Sequence, residues 1–122
     1  MINFEVDEIK RLLVIRYKGT VTPGETENGL DQIRDGLARL NSGFRVMVDL
    51  TDLELMDVKC APFIERAMDL CNEKGTSTVV RIIPDPHRDI GMSIMSVFHY
   101  GDDTRIFTCE TLAQAEQLLR LS

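Results

Sequence analysis

The stretch Phe44, Arg45, Val46, Met47, Val48, Asp49, Leu50 constrains this chain more than any other. Its middle is apolar without alternation, as in a strand covered on both faces, and such strands belong to sheets that are parallel around them. Segments of helical periodicity flank it. Before it, Leu30, Ile33, Leu37 and Leu40 recur at three and four residues while Glu25, Asp31, Gln32, Asp35 and Arg39 face elsewhere. After it, Cys60, Phe63, Ile64, Ala67, Met68 and Cys71 repeat the pattern. A buried strand between two amphipathic helices predicts an α/β domain with helices packed on a sheet.

The remaining segments extend that alternation. Residues 2–6 and 11–17 are apolar-rich and extended, with Asp7, Glu8 and Lys10 between them, so a β-hairpin opens the sheet. A short third strand is expected over Gly19–Val21. Thr22, Pro23 and Glu25 then match an N-cap, an N1 proline and the N3 acid of a capping box, and Gly43 is the expected stop of that first helix. Pro62 fits only the first turn of a second helix over residues 59–74, which Gly75 closes. Residues 78–83 form the next strand. Asp85 and Pro86 begin a third helix bearing Ile90, Ile94, Val97 and Phe98, which ends at Gly101. Residues 105–109 make the last strand, and Thr111 with Gln114 caps a fourth helix holding Leu112, Ala115, Leu118 and Leu119. The order is β-β-(β)-α-β-α-β-α-β-α, with a mixed sheet that is largely parallel after the hairpin and about four α-helices. The 122 residues suit one domain, 1–122, without repeat or linker.

Charge and cysteine usage narrow the function classes. The formal net charge is -6 and the basic residues are scattered, which argues against gripping a nucleic-acid backbone. No apolar run approaches a membrane span, and the amino terminus has neither the basic nor the apolar region of an export signal, so a cytoplasmic protein off the membrane is expected. Cys60, Cys71 and Cys109 are odd in number with no C-x-x-C pair, so reduced thiols are expected, with no disulfide framework, no zinc site and no cofactor.

The run Val46 to Ala61, VMVDLTDLELMDVKCA, is a strand ending in Asp-Leu-Thr, a short loop, and Met-Asp opening a helix. It resembles the STAS domain family, the anti-sigma-factor antagonist domain, and a diffuse likeness covers most of the chain. The resemblance implies a STAS-like mixed sheet and a non-enzymatic regulatory role. It implies docking through the loop and helix start at residues 52–63 onto an anti-sigma factor or kinase-like regulator, with Asp52, Asp57, Val58, Lys59 and Pro62 as contact residues. In antagonists of that family a Ser directly after the Asp takes a phosphate, which repels an acidic interface and breaks the contact. Here that position is Val58, followed by Lys59 and Cys60, and valine accepts no phosphoryl group. The expectation is an antagonist-like domain without the usual phosphorylation switch.

Other chemistries stay open at this stage. Asp49, Asp52 and Asp57 gather at the carboxyl end of the central strand, where a receiver-like domain would hold Mg²⁺; the alternative is a solvated loop acid, a strand-end polar group and a helix cap. Cys60 beside Lys59 in the first turn of a helix could be an activated thiol, or a small core residue at an apolar spacing. Arg81, His87 and Arg88 bracket Pro84 and Pro86 and could hold an anion in a nucleotide- or small-molecule-sensing domain, or be ordinary surface charge. Met92, Met95 and Tyr100 fall off the apolar stripe of the third helix, which suits adaptable binding or a homodimer as well as a wider core-facing arc.

Overall fold

The structure, a computed structural model, describes residues 1–83 and 105–121. Strands β1 (Ile2–Asp7) and β2 (Leu12–Tyr17) form the expected hairpin, with Phe4 opposite Ile15. Its turn is held by the Lys10 amide donating to Asp7 Oδ1 at 2.9 Å, and Arg11 takes φ 55°, the left-handed region that costs a side-chain-bearing residue. Then come β3 (Gly19–Val21), α1 (Pro23–Ala38), β4 (Arg45–Asp49), β5 (Leu53–Met56), a one-turn 3-10 helix (Val58–Cys60), α2 (Ala61–Lys74), β6 (Thr78–Ile82), β7 (Arg105–Cys109) and α3 (Leu112–Leu121).

The main sheet has the order β1-β2-β4-β6-β7, antiparallel between β1 and β2 and parallel from β2 onward, as the alternation of patterns predicts. Strands β3 and β5 form a separate parallel pair. Period-two alternation splits the apolar residues between two faces. Leu13, Ile15 and Tyr17 join Val46, Val48 and Val79 beneath Leu30, Ile33 and Leu37 of α1 and Ile64, Ala67 and Met68 of α2. Leu12, Val14, Met47, Val80 and Ile82 share the opposite face with Ala115 and Leu119 of α3. The central strands are therefore covered on both sides, which is why β4 and β6 lack polar alternation.

Local chemistry sets the element ends. Thr22 accepts the Glu25 amide and Glu25 returns to the Thr22 amide, completing the capping box of α1. Thr111 and Gln114 do the same for α3. Gly75 ends α2 at φ 104°, its amide donating to Cys71 O and Asn72 O, and Thr76 returns to Cys71 O, so the last carbonyls of the helix are satisfied.

Three expectations need correction or relocation. Helix α1 stops at Ala38 rather than at Gly43: the Arg39 and Leu40 amides donate to Gly36 O and Leu37 O, a tightened last turn that keeps Leu40 buried before the chain leaves. Gly43, at φ 92°, serves the turn into β4 instead. Residues 53–56, read as loop, are strand β5. Among the described residues there are three α-helices rather than four; the helix expected from Asp85 to Gly101 lies outside the described residues, as do His87, Arg88, Met92, Met95 and Tyr100.

Candidate functional site

The parallel strands of the main sheet point the same way, so the carboxyl ends of β4 and β6 lie side by side at one end of the sheet, where the Leu50 amide donates to Ile82 O at 2.9 Å. At this end Asp49 is enclosed. Its Oδ1 accepts the Thr51 amide at 2.9 Å and the Thr51 hydroxyl at 2.5 Å, while Oδ2 lies 3.6 Å from Arg16 Nε, and Arg16 also pairs with Glu5 at 2.9 Å. Asp49 thus closes the turn after β4 and neutralises a half-buried arginine. The turn continues through Leu53, whose amide donates to Leu50 O, and is tied to β3 by the Gly19 amide on Asp52 O at 2.8 Å.

Strand β5 then departs from simple alternation. Gly19 pairs with Leu53 but the next residue, Thr20, pairs with Leu55, so β5 carries one extra residue opposite β3. Such a bulge reverses the parity of everything after it. Leu53 is buried and Met56 packs on the core, while Leu55, two residues from Leu53, is 63% exposed. Three residues on, Val58 is 83% exposed.

The turn that presents Val58 is pinned from both sides. Asp57 is its N-cap in extended conformation, its Oδ1 accepting the Lys59 amide at 2.8 Å, and its carbonyl accepts the Cys60 amide at 2.9 Å. Cys60 is fully enclosed, its thiol directed to Val21 O at 3.6 Å. Ala61 and Pro62 open α2, with Pro62 exposed and Phe63 packed against the core. The result is an outward rim of Leu55 and Val58, edged by exposed Asp52, Glu54, Asp57 and Lys59.

The candidate residues separate clearly on this frame. Asp52, Asp57, Val58, Lys59 and Pro62 all lie exposed on the rim. The three carboxylates of the receiver-like reading do not assemble: Asp49 is spent on Thr51 and Arg16, Asp57 on its own turn, and no group of three acidic, His or Cys side chains among the described residues could hold a metal. Cys60 is a core residue, and burial pushes its thiol above the ordinary range, opposite to the lowering that activates a nucleophile. Arg81 is not at the surface. It sits in β6 at 5% exposure and donates to Thr108 Oγ1 on β7 at 2.7 Å. Sequence reasoning missed Leu55, because residues 53–56 read as loop and its outward direction is created only by the shifted pairing with β3.

No family model matches the sequence, and no curated protein does. Solved structures do. An uncharacterised protein of the DUF3478 family from Shewanella loihica PV-4, described as having a SpoIIAA-like fold, superposes with a TM-score of 0.72 at 17% identity over 98% of this chain and 92% of that one. The anti-sigma factor antagonist SpoIIAA in its unphosphorylated form matches with a TM-score of 0.62 at 16% identity over 99% and 97% of the two chains. An anti-sigma factor antagonist from Mycobacterium paratuberculosis matches with a TM-score of 0.61 at 15% identity over 98% and 95%. Hairpin, parallel order and the strand-to-turn-to-helix unit at residues 45–74 thus converge on one architecture, and the chain has the STAS-like fold of the SpoIIAA antagonists.

Proposed function

We infer that this chain is a non-enzymatic regulatory domain that holds a protein partner against the rim formed by residues 52–62, in the manner of an anti-sigma factor antagonist. The observation that carries the reading is Val58, an aliphatic side chain 83% exposed on a turn fixed by the Asp57 cap and the buried Cys60. Exposed aliphatic residues are common singly, but here the bulge in β5 turns Leu55 outward at the same rim. The acids Asp52, Glu54 and Asp57 around them suit a partner with a basic border and an apolar centre. An anti-sigma factor or kinase-like regulator is the partner class that the antagonist-named neighbours suggest.

Residue 58 also bears on regulation. A neighbouring antagonist is described in an unphosphorylated form, whereas a valine at this position has no hydroxyl to modify. The contact proposed here is therefore set by partner concentration rather than by phosphate at residue 58. Affinity capture with the wild-type chain beside Val58→Asp tests both parts. The expected outcome is a stoichiometric anti-sigma factor or kinase-like protein that is lost with Val58→Asp while the variant stays folded. An identical captured set for the two proteins refutes the rim, and phosphate on Thr51 after incubation of the captured pair with ATP refutes the switchless mode.

A further inference from the structure

Among the described residues the main sheet ends at β1, and one pair of bonds fixes which of its backbone groups face outward. The Lys18 amide donates to Met1 O at 2.8 Å and the Met1 nitrogen to Lys18 O at 2.8 Å, so residues 1 and 18 are a doubly bonded pair of the hairpin. In an antiparallel ladder, bonded and non-bonded pairs alternate. Asn3, Glu5 and Asp7 therefore bond β2, while the amides and carbonyls of Ile2, Phe4 and Val6 point away from the sheet. The register of β1 on β2 runs from Ile2 to Asp7 without a shift, and the strand contains neither Pro nor Lys. A bulge, a proline or a lysine is what commonly blunts an open edge, and β1 has none of them.

We propose that β1 pairs antiparallel with β1 of a second copy about a two-fold axis at Phe4, joining the two sheets edge to edge. In this register Ile2 lies opposite Val6 of the second copy, Phe4 opposite its own counterpart, and Asn3 opposite Glu5. Every outward amide and carbonyl of Ile2, Phe4 and Val6 then gains a partner, apolar side chains meet apolar ones, and an amide meets a carboxylate. The neighbouring registers do worse. A shift by two residues one way sets Glu5 against Glu5, which is repulsive, and the other way leaves Val6 beyond the ladder. A shift by one residue places apolar side chains against polar ones.

Helix α1 overlies this edge: a Cβ at Gly29 would lie 3.0 Å from Phe4 and one at Gly36 2.9 Å from Val6. Gln32, three residues after Gly29 and four before Gly36, shares their helix face and is exposed and uncharged. Glu25 and Arg39, farther along that flank, are held by Thr22 and Glu8 of their own chain. The two copies of α1 thus meet across the axis without opposed like charges. The contact is isologous, uses the same edge of both copies and closes at a dimer. It needs none of residues 52–62, so it goes beyond the partner reading and stands or falls apart from it.

The test uses the purified chain alone. Sedimentation equilibrium should give an average mass that rises with concentration toward twice that of one chain and no further. Asn3→Glu sets two acids against each other at both Asn3–Glu5 pairs and should weaken the dimer about tenfold with far-ultraviolet ellipticity unchanged, whereas Asn3→Lys should tighten it. Cysteine cross-linking reads the register independently of these variants. Residues opposed in a non-bonded pair lie about 4.5 Å apart at Cα, so an equal mixture of Asn3→Cys and Glu5→Cys should form the mixed disulfide under mild oxidation, and neither variant should link to itself. Cys60, Cys71 and Cys109 are buried and do not compete. A wild type with the mass of one chain at every concentration, growth beyond two chains, an Asn3→Glu dimer as tight as that of Asn3→Lys, or self-linking of either cysteine variant overturns the proposal.

Discussion

Asp57 has two separable roles, and two substitutions tell them apart. Its Oδ1 accepts the Lys59 amide at 2.8 Å and so caps the turn that presents Val58, while its negative charge borders the rim. Asp57→Ala removes both. Loss of a side-chain N-cap costs about 1 kcal/mol, within a range of roughly 0.5–2. For a domain of this size that is a fall in Tm of roughly 4 °C, and a shift of about 0.5 M in the urea midpoint. Asp57→Asn keeps an acceptor oxygen and removes the charge, so its unfolding midpoint should stay within a few tenths of a kcal/mol of wild type. Binding reads the charge instead. A rim charge acts mainly on the association rate, so Asn should slow capture of a partner with a basic border at low salt and match wild type at high salt. Urea unfolding and surface-binding kinetics on the three proteins are sufficient. The reasoning fails if Asn is as destabilised as Ala, or if Ala unfolds at the wild-type midpoint.

Two further outcomes concern the frame. Gly75→Ala places a Cβ at φ 104°, 2.2 Å from Ser42 Oγ; left-handed backbone costs about 1–2 kcal/mol and overpacking about 1–3, so a loss of roughly 2–5 kcal/mol is expected, part of it recovered by Ser42→Gly, and a change below about 0.5 kcal/mol refutes the strain. Alkaline pH attacks the core: burial raises the Tyr17 phenol and the Cys60 and Cys109 thiols above their ordinary values. A raised native value means the unfolded state loses its proton first, so stability is complete below pH about 8 and falls above it, by up to about 1.4 kcal/mol per pH unit for each group. In a Tyr100→Phe background, tyrosinate absorbance should appear only together with loss of far-ultraviolet ellipticity, and tyrosinate forming near pH 10 in folded protein contradicts the burial of Tyr17.

What the sequence makes legible here is what short-range chemistry decides. The capping boxes at Thr22 and Thr111 are complete within four residues, and both appear as read. The parallel order follows from strands too apolar to have a wet face. Helix α1 shows the limit of that reading. Its apolar stripe is visible, but Gly29 and Gly36, which look like weak points in a helix, lie where a Cβ would come within 3.0 Å of Phe4 and 2.9 Å of Val6. They let α1 settle onto the edge strand β1, a fact that depends on which strand lies beneath. Arg81 is similar: a lone arginine in an apolar strand reads as a surface cation, yet β6 is central and Thr108 on the next strand supplies its acceptor.

The candidate site was half legible for the same reason. The positions of Asp57, Val58 and Pro62 follow from the turn chemistry of the segment itself, whereas the exposure of Leu55 is created by pairing with β3, thirty-odd residues earlier in the chain, whose register skips one residue of β5. That skip also fixes which side chains the rim presents. Buried or packed residues at 53, 56 and 60 alternate with exposed ones at 55 and 58, so each outward side chain is anchored on both sides by an inward one. A flexible loop of the same composition would lose backbone freedom on docking, at about 1–2 kcal/mol for each residue ordered. In the proposed docking mode, a rim already fixed by the Asp57 cap, the Cys60 thiol and the bulge would avoid most of that cost, so that even a small apolar surface would contribute usefully to holding a partner.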